Sequence, residues 1–83
     1  MTLDQLPVGE SALVVKVGGE GALRFRLLDM GILPRTEVRT VKIAPLGDPM
    51  EIRLRDYELT LRKEDARKIE VCPLGKDTKS NRR

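Results

Sequence analysis

Leu23-Arg24-Phe25-Arg26-Leu27-Leu28-Asp29-Met30-Gly31-Ile32-Leu33-Pro34-Arg35-Thr36-Glu37-Val38 joins a helical pattern, a glycine stop and a strand start without a gap. Leu23, Leu27 and Met30 recur at helical spacing, Phe25 and Leu28 widen that face, and Arg24, Arg26 and Asp29 fall between them. The pattern predicts one amphipathic helix of about two to three turns. Gly31 stands where the chain needs a positive φ to leave a helix, and Ile32 beyond it is placed to fold back onto Leu27, as in a Schellman ending. Pro34 forbids continuation.

Outward from this stretch the pattern has period two. Upstream, Thr2 and Gln5 have capping-box spacing around a single turn that Pro7 ends, a plug for one end of the core. A strand follows over Ala12–Val17, with Leu13, Val15 and Val17 on one parity and Val14 making the other face partly apolar. Gly18, Gly19, Glu20 and Gly21 form a loop before the helix. They complete no phosphate-binding glycine motif, so a turn is the better reading.

Downstream, a strand over Thr36–Ala44 changes phase, since Val38 lies on one parity and Val41 and Ile43 on the other. A β-bulge at Arg39–Val41 reconciles them. Pro45-Leu46-Gly47-Asp48-Pro49 reverses the chain with Leu46 at the tip. Met50, Ile52 and Leu54 then alternate with Glu51, Arg53 and Arg55, and Leu59 and Leu61 with Glu58, Thr60 and Arg62, a hairpin turning at Asp56 and Tyr57. Glu64 to Lys68 supports about one helical turn, and Ile69 and Val71 begin a last strand that Pro73 is expected to close. Five short strands and one helix after the first predict a mainly β fold, a small SH3-like barrel whose closure removes exposed edges. The expected domain is residues 1–74, with a disordered basic tail over 75–83.

The formal charge of +3 lies in that tail. Lys76, Lys79, Arg82 and Arg83 against Asp77 account for it, leaving 12 bases and 12 acids in residues 1–75. A neutral body lacks the field of a protein built for polyphosphates. Histidine is absent and Cys72 is alone, so neither a disulfide within the chain nor a Cys/His metal cluster can form. Asp29, Asp48, Glu20 and Glu51 offer oxygen donors, but scattered loop carboxylates are ordinarily solvated, and no metal or cofactor is assigned. No acid/base pair or activated nucleophile can be assembled, which argues against an enzyme. The absence of a long apolar run and of a signal-peptide pattern predicts a cytoplasmic protein that does not insert into a membrane.

Three blocks, Arg26-Leu27-Leu28-Asp29-Met30-Gly31-Ile32-Leu33-Pro34, Ala44-Pro45-Leu46-Gly47-Asp48-Pro49 and Leu59-Thr60-Leu61-Arg62-Lys63, give the chain from about Leu3 to Val71 a resemblance to the FeoA family of bacterial ferrous iron uptake. It departs at Arg35 and Asp56, where family members often carry glycine. The resemblance implies an SH3-like barrel and an accessory role beside the membrane transporter FeoB, whose cytoplasmic part is the expected partner. Leu33 and Leu46, flanked by turn residues, are the candidate apolar contacts, and Arg26, Asp29 and Arg35 a candidate polar cluster beside them. Asp29 needs a partner because a carboxylate in the last helical turn opposes the dipole. For Leu28 and Ile32 core burial is the better reading. Exposed leucines also leave room for self-association.

Two alternatives stand beside docking. One is a metal-responsive regulatory module, since similar domains occur in iron-dependent repressors. The other is a nucleic-acid-binding barrel using Arg24, Arg26, Arg35, Arg39, Arg53 and Arg55. Against strong nucleic-acid binding, Phe25 and Tyr57 are the sole aromatics on which bases could stack.

Overall fold

The glycine stop forms as read. In the computed structural model, which describes residues 1–75, helix α1 (Gly21–Asp29) ends at Gly31 with φ +94°. The Ile32 amide donates to the Leu27 carbonyl at 3.1 Å and the Gly31 amide to the Leu28 carbonyl at 3.0 Å, the two bonds of a Schellman motif. Leu27 and Ile32 are both fully buried. Phe25 does not widen the buried face; it is 67% exposed. Two residues from Leu27 is about 200° around a helix, so a helix that seats Leu27 turns Phe25 to solvent.

Five strands make one antiparallel sheet: β1 (Ser11–Val17), β2 (Glu37–Ile43), β3 (Met50–Leu54), β4 (Tyr57–Leu61) and β5 (Ile69–Gly75), in the order β4-β3-β2-β1-β5. A 3-10 turn (Leu3–Gln5) precedes them, and the Gln5 side chain accepts the Thr2 amide at 3.0 Å. Leu3 and Leu6 are buried from that turn, as a plug should be. Helix α2 (Lys63–Ala66) connects β4 to β5 and contacts the 3-10 turn.

Among the described residues no ladder joins β4 to β5, so the two edges that closure was expected to remove remain. Helical pieces with Leu3, Leu6 and Ala66 buried complete the enclosure instead. Pro73 does not close β5. The strand runs on to Gly75, with Pro73 opposite Ala12. An edge strand tolerates a residue without an N–H. The remaining tail, residues 76–83, lies outside the described residues.

The bulge in β2 falls at Val41, within the expected window: Thr40 pairs with Ile52 and Lys42 with Glu51. A second bulge, unforeseen, sits at Val15 in β1, where Val14 pairs with Val71 and Lys16 with Glu70. It makes Ala12, Val14 and Val17 the core residues of β1 and leaves Val15 51% exposed, correcting the expected parity. The hairpin also turns one residue early. Leu54 pairs with Tyr57, so Arg55 and Asp56 form the loop, and Arg55 takes the positive φ, +49°.

Inside β2 the residue sharing the core face with Val38 is Thr40. It is fully buried, and its Oγ1 finds no hydrogen-bond partner among the described residues. An unmet buried hydroxyl costs about 1 to 3 kcal/mol. Thr40→Val keeps the shape and removes that cost, so it should raise stability by about 1 kcal/mol, a gain of about 4 to 8 °C in melting temperature. A fall on thermal denaturation would mean the hydroxyl holds a bond that the valine forfeits.

Candidate partner-binding site

The two candidate leucines are presented on fixed backbone. Leu46, 96% exposed, tips a turn closed by the Gly47 amide to the Ala44 carbonyl at 2.7 Å and the Ala44 amide to the Pro49 carbonyl at 3.0 Å. Asp48 Oδ1 accepts the Lys63 amide at 3.0 Å, tying this turn to the start of α2. Leu33, 47% exposed, lies in the link from α1 to β2, pinned where the Arg35 amide donates to the Val14 carbonyl at 2.7 Å. The leucines flank opposite ends of β2, one before Glu37 and one after Ile43. They are separate apolar points. Leu28 is half-buried and Ile32 is core.

Arg26, Asp29 and Arg35 are not brought together. The Arg26 guanidinium reaches across to α2 and meets Asp65 Oδ2 at 3.1 Å, a carboxylate whose side chain is only 12% exposed. Asp29 is exposed and forms no ion pair among the described residues. The helix end is served instead by the Schellman bonds and by the Tyr57 hydroxyl, which donates to the Met30 carbonyl. Asp65 carries no local signal as a partner for Arg26, since nothing periodic links positions 39 residues apart.

Arg35 belongs to a different constellation. It lines an open groove of about 500 Å³ with Arg39, Arg53 and Arg55, beside Leu13 and Glu37. Four of the six arginines named as a possible basic side therefore do gather. Arg24 and Arg26 do not: Arg24 Nε donates to the Val17 carbonyl at 3.2 Å, and Arg26 is held by Asp65. Arg53 faces Glu58 at 3.8 Å, both well exposed, a pair of little strength. Among the described residues, no group of three or more His, Cys, Asp or Glu side chains is gathered in one place. No helix there is long and apolar enough to cross a membrane.

The profile of the FeoA domain family matches residues 1–73. This chain belongs to the FeoA family. Its sheet is the SH3-like fold of that family, which serves ferrous iron transport. A fusion protein of Fe(2+) transport protein A and the Fe(2+) transporter FeoB from Porphyromonas gingivalis is 45% identical over 71 residues. The match takes in 86% of this chain and 8% of the fusion protein's length. The solution structure of the FeoA-like protein of Clostridium acetobutylicum superposes with a TM-score of 0.83 at 36% identity, covering 89% of this chain and 86% of that one. FeoA of Stenotrophomonas maltophilia, crystallised with zinc and described as an SH3-domain protein and candidate ferrous iron transport activating factor, gives a TM-score of 0.77 at 32% identity. The overlap is 86% of this chain and 88% of that one.

Proposed function

We propose that this chain is a non-enzymatic, cytoplasmic accessory of ferrous iron uptake that docks on the cytoplasmic portion of FeoB. The observation that carries the reading is the Porphyromonas gingivalis fusion, in which a segment 45% identical to this chain is covalently joined to the transporter. Tethering raises effective concentration, which benefits modules that must meet. Leu33 and Leu46 supply apolar contacts on rigid turns, where little ordering entropy is spent on binding.

The test is capture of the FeoB cytoplasmic region from the same cell by wild type, Leu33→Asp and Leu46→Asp, each first shown to be folded. Wild type should capture it and at least one variant should lose it. A wild type that captures nothing would end the docking reading.

A further inference from the structure

The arginine groove is built against the ordinary preferences of a sheet. Arg39 of β2 and Arg53 of β3 are directly opposite in the register and both exposed, and like charges in that position repel, offset only by the weak pair of Arg53 with Glu58. The groove's other two arginines, Arg35 and Arg55, have φ of +76° and +49°, and they are the only non-glycine residues at positive φ among the described residues. Strain of this kind concentrates at functional sites. Like-charge repulsion and strained backbone thus meet at one groove of about 500 Å³, within the range of about 300 to 1,000 Å³ typical of ligand clefts.

We propose that this groove receives an extended acidic segment of a protein partner, its carboxylates held by Arg39 with Arg53 and by Arg35 with Arg55, and an aliphatic side chain set against Leu13. The proposal rests on the reading of this chain as a docking module. Guanidinium forks suit carboxylates bidentately. In an extended segment the side chains on one face recur about every 6.6 Å, so acidic and aliphatic residues two positions apart can face the arginines and Leu13 together.

Three features favour a peptide over a nucleic acid. Neither Phe25 nor Tyr57 lines the groove, so bases have nothing to stack on. Glu37 stands opposite Leu13 in the register, where an uncharged aliphatic residue fits and the next phosphate of an unbroken run would be repelled. The balance of 12 bases and 12 acids in residues 1–75 leaves the excess local to the groove, suited to a short acidic stretch.

The probe is a five-residue peptide with Glu, Leu and Glu at positions one, three and five, Ser between them and blocked ends, titrated into the full ¹⁵N-labelled chain. Amide shifts should concentrate at Ser11, Leu13, Arg39 and Arg53. Affinity should fall several-fold as salt rises from about 0.01 M to about 0.15 M, which shortens the Debye length from about 30 to about 8 Å. Arg39→Glu should weaken the peptide about tenfold or more while melting no lower than wild type, because it replaces repulsion from Arg53 by attraction. Shifts elsewhere, unaltered affinity in Arg39→Glu, or stronger groove shifts with an oligothymidylate of equal charge would overturn the proposal. Capture of FeoB separates the two readings. Capture by wild type and Arg39→Glu alike would leave docking intact and remove the groove from it. No capture by wild type, with the peptide still filling the groove, would remove the transporter and support the acidic-segment site.

Discussion

Leu54→Ala should lower stability by about 2 to 5 kcal/mol, the cost of deleting a buried leucine and leaving its cavity. Leu54 is 1% exposed, lies between Val38 of β2 and Tyr57 of β4 in the register, and its Cδ1 stands 3.9 Å from where a side chain at Gly31 would begin. It therefore joins the sheet to the segment that ends α1, and the surroundings cannot collapse without moving that joint. A chain of this length holds on the order of 4 to 12 kcal/mol in total, so the substitution removes a large fraction of it. Differential scanning calorimetry should show a fall of about 10 °C or more. Arg53→Ala, one position earlier and on the opposite face, should change stability by less than about 0.5 kcal/mol. The contrast is the period of two made measurable, and equal effects at both positions would mean that β3 does not present alternate faces.

That alternation was legible because β3 obeys it without exception: Met50, Ile52 and Leu54 are all buried. The helix stop was legible for a related reason, since glycine before a β-branched residue and a nearby proline leaves few conformations open. β1 was not legible. Leu13, Val14, Val15 and Val17 are all apolar, so composition cannot choose a face, and the bulge at Val15 that decides it arises from pairing with β5, more than fifty residues away. Thr40 hid for the opposite reason, a polar residue in a core position that no pattern of apolar side chains would nominate. The site divides in the same way. Exposure of Leu33 and Leu46 followed from their turns, and a basic side could be named. Which arginines meet depends on the register that sets Arg39 against Arg53 and on the long-range pairing that takes Arg26 to Asp65.

The helix stop itself yields the second large effect. Gly31→Ala forces an L side chain into φ +94°, which costs about 1 to 2 kcal/mol in conformation alone. The added Cβ would also stand 2.7 Å from the Tyr57 hydroxyl, closer than two such atoms can sit. Tyr57 must then swing away and surrender its bond to the Met30 carbonyl, worth about 1 kcal/mol. Together the expected loss is about 2 to 3 kcal/mol. The two causes separate in a double-mutant cycle. In a Tyr57→Phe background the hydroxyl is already gone, so Gly31→Ala should cost only its backbone part, about 1 to 2 kcal/mol. If chemical denaturation gave the same cost in both backgrounds, the tyrosine would have no part in the stop, and the Schellman bonds of Gly31 and Ile32 would carry the end of the helix by themselves.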